Sequence, residues 1–177
     1  MNDGFKTALT KVFEWCNSRP NYGVRTSDHS GRIAIKRLKK LSIELHNLLP
    51  DEYKDHFVPY FSKGKSSLPV ILWVALCPKR RAVHNSMTIG FCFAKNGSGA
   101  VFGIMDSVSF SQKWLPTLER SPEKVESINI NATNYKYNNA FYNPMEVVSN
   151  EIDFDTIEER LLESCPILHE IIMARFQ

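Results

Sequence analysis

Apolar residues recur with a helical period at the start of the chain. Phe5, Leu9, Val12, Phe13 and Cys16 are spaced by three, four and one, so they share one face of a helix ending before Pro20. Residues 21–29 read as a polar loop. A second helix is predicted over residues 30–49, with Ile35, Leu38, Leu41, Leu45 and Leu48 on one face and Lys36, Lys39 and Lys40 on the other. Pro50 closes it, and a short extra turn follows over 51–56.

The pattern then changes period. Residues 58–61, 70–76, 88–93 and 100–104 are short apolar runs rich in β-branched and aromatic side chains, as strands require. Lys95-Asn96-Gly97-Ser98-Gly99 is a hairpin turn between the last two. Residues 109–125 predict a helix interrupted at Pro116, and 127–130 and 140–148 predict further strands. The tail, 153–176, opens with acidic residues and repeats Ile157, Leu161, Cys165, Leu168 and Ile172, a helix that Pro166 should kink or split. Together these elements predict one α+β domain of 177 residues: two N-terminal helices, a mostly antiparallel sheet, and a C-terminal helix packed on it.

Composition narrows the class. With 43% hydrophobic and 23% charged residues, the chain has the make-up of an ordinary globular domain. No apolar run is long enough to span a bilayer and the N-terminus lacks a signal-peptide core, which predicts a cytoplasmic protein with no membrane partner. The cysteines Cys16, Cys77, Cys92 and Cys165 form no CxxC pair and are expected to be reduced and partly buried. Charge is uneven. Residues 1–100 hold 16 Lys and Arg against 7 Asp and Glu, whereas 101–177 hold 6 against 12. A basic half suggests one surface for a polyanion.

Enzymatic motifs are absent. Gly64-Lys65-Ser66 resembles the end of a phosphate-binding loop, but Pro59 stands where the first glycine is needed and a strand follows instead of a helix. Asp51, Glu52 and Lys54 imitate a metal nuclease, yet adjacent carboxylates in one turn diverge and cannot clasp a shared cation. His29, His46, His56, His84 and His169 show no metal-ligand spacing, and no GxSxG or cysteine-nucleophile signature occurs. The chain is therefore read as a binding protein without catalytic residues, metal or cofactor.

What remains is basic and aromatic. Lys63, Lys65, Lys79, Arg80, Arg81 and Lys95 flank the predicted strands, where flexible cations can meet phosphates. Trp73, Tyr135, Tyr137, Phe141 and Tyr142 offer flat faces for base stacking, although Trp73 and Phe141 equally suit an ordinary core.

These segments carry a resemblance. Ser62-Lys63-Gly64-Lys65-Ser66-Ser67 leads into Val70-Ile71-Leu72-Trp73-Val74-Ala75-Leu76, followed by a hairpin over 87–106, the segment Tyr135-Lys136-Tyr137-Asn138-Asn139-Ala140-Phe141-Tyr142, and a last helix over 154–172. In that order they resemble the N-terminal DNA-binding domain of McrB-type restriction proteins, with the likeness strongest over 61–172. That family reads modified cytosine in duplex DNA by swinging the base into an aromatic-lined pocket. Enclosing the base lets the pocket measure a substituent on its edge.

The resemblance implies a base-binding pocket of Trp73, Thr88, Cys92 and Tyr137. It also implies that Lys65 is the inserting residue of the loop that holds Lys63 and Ser66, while Lys79, Arg80 and Arg81 are read from their charge and loop positions as contacts to the DNA backbone. The family's full-length members carry a GTP-hydrolysing motor and recruit a separate McrC-like nuclease, so both are implied as partners in a restriction system for phage defence. Three positions depart from the family: Lys65 and Thr88 replace aromatics, and Cys92 replaces a leucine. A smaller, more polar pocket would accept a bulkier base such as hydroxymethylated or glucosylated cytosine. Two other readings stay open: a protein-interaction or regulatory domain of the same fold, and an enzyme built around Cys92, Tyr137 and a histidine.

Overall fold

The computed structural model describes residues 2–19, 23–79, 87–105 and 141–173. The helix predicted over 109–125, the strand over 127–130, and Arg80, Arg81, Tyr135 and Tyr137 lie outside the described residues. The order is α1 (Asp3–Asn17), α2 (His29–Asn47), α3 (Asp51–Lys54), β1 (Phe57–Phe61), β2 (Leu72–Pro78), β3 (Thr88–Phe93), β4 (Gly99–Met105), β5 (Phe141–Val148) and α4 (Phe154–Met173). The strands form one antiparallel sheet in the order β1-β2-β3-β4-β5, each paired with its neighbour in sequence. This is the predicted α+β architecture.

The helices form where the apolar stripes demand them. Phe5, Leu9, Val12, Phe13 and Cys16 are all buried, and α1 meets the sheet through Phe5 against Phe91 and Phe13 edge-on to Phe93 at 5.5 Å. Asn2 caps α1, its side-chain oxygen accepting from the Gly4 N–H at 2.7 Å. In α2, Leu38, Leu41 and Leu45 are buried while Lys36, Lys39 and Lys40 are exposed. Asp153 caps α4 by accepting from the Thr156 N–H and hydroxyl, and Ile157, Leu161, Cys165 and Leu168 turn inward. Pro166 does not split this helix, which runs unbroken from Phe154 to Met173.

Alternation sorts the sheet into two faces. Leu72, Val74, Leu76, Ile89, Phe91, Phe93, Ala100, Phe102 and Ile104 join the helices in one core. Each of these side chains other than Ala100 contributes about 1.5–3 kcal/mol by full burial. The opposite face carries a second, smaller cluster of Ile71, Cys92, Ala94, Val101 and Phe141, with Trp73 and Met105 half-buried against it. Both faces of the three central strands are therefore buried, which is why β2, β3 and β4 read as continuous apolar runs.

Candidate nucleic-acid interface

The face away from α1, α2 and α4 is organised in rows across the strands. Trp73 of β2 lies directly opposite Cys92 of β3, which lies opposite Val101 of β4. Two residues further along the strands, Ala75 pairs with Gly90 and Gly90 with Gly103. Two further again, Thr88 pairs with Met105 and Met105 with Phe141. The middle row thus has almost no side chain: it is a slot floored by Ala75, Gly90 and Gly103. Trp73, Cys92 and Val101 bound one side of it, and Thr88 bounds the other. Thr88 and Cys92 stand about 13 Å apart along β3, at ~3.3 Å per residue.

Backbone packing enforces the bare floor. A Cβ on Gly90 would lie 2.0 Å from the Val74 carbonyl oxygen and 2.7 Å from the Ala75 Cα, so no other residue fits there. The pairing shifts at Gly103: Phe102 faces Met145 and Ile104 faces Tyr142, leaving Asn143 and Pro144 as two residues opposite one. This is a β-bulge, and Pro144, with no N–H to give a ladder, sits where a bulge tolerates it.

Met105 fills the slot. Its Cε lies 3.0 Å from where a Gly90 Cβ would stand, and its Sδ is 3.6 Å from the Cys92 Sγ. The thioether therefore reaches past Gly90 from the Thr88 row to Cys92. Without the bare floor it would have no room to do so.

Trp73 couples this slot to the basic loop. Its backbone N–H donates to the Ser62 hydroxyl at 3.0 Å, and the Ser62 N–H donates to the Trp73 carbonyl at 2.9 Å. Ser62 is buried, and the exposed residues Lys63, Gly64, Lys65, Ser66 and Ser67 follow it. Gly64 has φ +67°, and a Cβ there would strike the Ser67 carbonyl oxygen, so the tight loop depends on glycine. The loop is held from below. Thr26 donates its N–H to the Ser66 carbonyl, Leu68 donates to the Val24 carbonyl, and the Arg19 guanidinium donates to the carbonyls of Val70 and Pro69 at 2.8 and 3.1 Å. Fixed ends present Lys63 and Lys65 from a defined platform.

The same end of the sheet gathers further cations. Leu72 pairs with Phe93, so the 94–98 turn, with exposed Lys95, lies beside the start of β2. Arg25 forms an isolated backbone bridge to Ser67. Asn17 at the end of α1 faces the Asn96 and Gly97 carbonyls, and with its amide turned nitrogen-first, as two acceptors require, it donates to both. Among the described residues no ion pair engages Arg25, Lys63, Lys65 or Lys95, although Lys63 rests over the Phe61 ring at 5.3 Å. Exposed Asp28 and Glu151 border this end, so it is not purely basic.

The structure brings together only part of the predicted site. Trp73 and Cys92 are opposite neighbours, and Thr88 shares their face across the slot. Lys79 does not join the loop. It follows the far end of β2, about 23 Å from the start of that strand at ~3.3 Å per residue, and lies 3.8 Å from Asp55. The nuclease-like trio stays in α3, where Lys54 pairs with Asp51 at 2.7 Å on the surface. Sequence reasoning missed Met105, the Ala75-Gly90-Gly103 floor and Arg25. The glycines at matching positions of β3 and β4 were the available signal.

All four cysteines are buried and none forms a disulfide, and burial pushes the Cys16, Cys77 and Cys165 thiols up to about 12. Among the described residues no group of three His, Cys, Asp or Glu could hold a metal ion, and no helix is long and apolar enough to cross a membrane. No protein-family model, curated protein or solved structure matches this chain.

Proposed function

We propose that this domain is a non-catalytic reader of modified cytosine in duplex DNA, which turns the base out of the helix and seats it on the sheet face beside Trp73. The observation that carries this reading is the coupling at Trp73. One residue forms the edge of a slot floored by Ala75, Gly90 and Gly103 and is hydrogen-bonded through Ser62 to the loop bearing Lys63 and Lys65. Base extrusion costs a few kcal/mol, and the reading supplies both compensations. Stacking on an aromatic face contributes about 1–3 kcal/mol per base, and lysines at the rim gain affinity by releasing counterions from phosphates.

The likeness to McrB-type domains supports the same reading, adds Tyr137 to the pocket, and proposes a GTPase motor and a nuclease as partners in a cytoplasmic restriction system. Fluorescence anisotropy tests it, with matched duplexes carrying plain, methylated, hydroxymethylated or glucosylated cytosine at two salt concentrations. Tighter binding to one modified duplex is expected, with affinity falling steeply as salt rises. Equal binding to all four would remove base reading. No binding at low salt would remove DNA and favour a protein-interaction role for the fold.

A further inference from the structure

We infer that Met105 is a displaceable plug, and that the space its thioether occupies beside Gly90 is the seat for a flat aromatic ring. The identity of that ring as a modified cytosine rests on the function proposed above, but the plugged slot does not.

Three observations lead there. First, the floor is bare by construction, because the approach of β2 forbids any side chain at Gly90. Second, the space above it is filled from the side by the end of a long chain rooted one row away, with Cε over Gly90 and Sδ against Cys92. Third, Met105 and Trp73 are only half-buried, whereas the neighbouring Cys92, Val101 and Thr88 are buried.

Methionine suits such a role. It has three rotatable side-chain bonds and a polarizable sulfur that contacts aromatic rings favourably, so it can leave the slot and then pack against whatever replaces it. A β-branched side chain at the same position would be held in one rotamer. The plug would keep the apolar floor covered while the slot is empty, and its displacement would set how large a substituent on the incoming ring is accepted.

The test uses wild type, M105A and the volume-conserving M105L, with indole as a ring-shaped probe and thermal unfolding as the readout. Indole is expected to raise the Tm of M105A, whose slot is open, and to raise that of wild type and M105L by less at the same concentration, because there the ring must first displace the plug. Met105→Val, which trims the thioether and favours strand, replaces M105A should that variant not fold. A folded, trimmed variant that ignores indole would overturn the inference, as would a wild type that responds equally.

A second arm separates the two proposals. In the duplex titration, trimming Met105 should shift the preference for the bulkiest modified cytosine over plain cytosine by about tenfold. Indole binding with no duplex preference in either protein would retain the slot and remove base reading. Duplex preference that trimming leaves unchanged, with no indole response, would remove the plug and leave base reading standing.

Discussion

Thr26 and Ser66, forty residues apart, are joined twice: the Thr26 N–H donates to the Ser66 carbonyl at 3.1 Å, and the Thr26 hydroxyl also reaches it at 3.3 Å. The hydroxyl lies 3.2 Å from the Lys65 carbonyl as well. The segment ahead of α2 therefore holds the tip of the basic loop. Thr26→Val keeps the shape and the N–H but removes the hydroxyl. It should lower stability by about 0.5–1.5 kcal/mol in urea titration and speed amide exchange in the loop. Unchanged exchange from Gly64 to Ser67 would show that the hydroxyl does not restrain the loop.

Two glycines rank by what a methyl group would strike. Gly64→Ala meets a carbonyl and an unfavourable φ in an exposed loop, and should cost about 1–3 kcal/mol. Gly90→Ala meets the Val74 carbonyl and the Ala75 Cα inside the central strands, where neither can yield. It should cost at least about 3 kcal/mol and leave little folded protein. Comparable urea midpoints for the two variants would contradict the close approach of β2 and β3.

The lysines separate by position. Replacing Lys63 and Lys65 together by Ala should weaken binding to plain and modified duplexes alike. If each contacts one phosphate, the slope of log K against log salt should fall by about 1.8. Lys79→Ala should leave that slope unchanged, because Lys79 sits at the far end of β2 beside Asp55. A Lys79 effect equal to that of the double variant would move the DNA surface to the other end of the sheet.

The buried thiols predict alkaline sensitivity. Burial raises Cys16, Cys77 and Cys165 from 9.0 to about 12, so the native state holds these protons more tightly than the unfolded chain. The resulting stabilisation is complete below pH 9, declines as the unfolded thiols ionise above it, and is gone once pH passes about 12. The urea midpoint should therefore drop between pH 8 and pH 10.5, and drop less in Cys77→Ala. Identical declines in both proteins would assign the alkaline loss to other groups.

Much of the fold was legible because burial writes a period into a chain. The stripes Phe5-Leu9-Val12-Phe13-Cys16 and Ile157-Leu161-Cys165-Leu168 lie on the inward faces of α1 and α4. The 95–99 turn joins β3 to β4 as predicted, with Gly97 at φ +73°. Boundaries moved by one or two residues. Val70, predicted within a strand, is 57% exposed and precedes β2, where Arg19 holds its carbonyl outside the ladder. Pro166 was expected to kink or split α4, and it does not split it: a proline removes only one helix hydrogen bond and the buried stripe on either side maintains the helix.

The candidate site was only partly legible. The sequence alone determined the helical and strand periods, the basic loop at 62–67 and the separation of charge between the two halves, because these follow from local spacing and residue chemistry. It could not reveal that Gly90 faces Gly103, that Met105 reaches past Gly90 to Cys92, or that Lys79 stands apart from Lys63 and Lys65. Those relations depend on strand register, and register is decided by how both faces of the sheet are buried together. When both faces are apolar the alternation that would reveal the register is erased, and only the folded sheet determines which side chains meet.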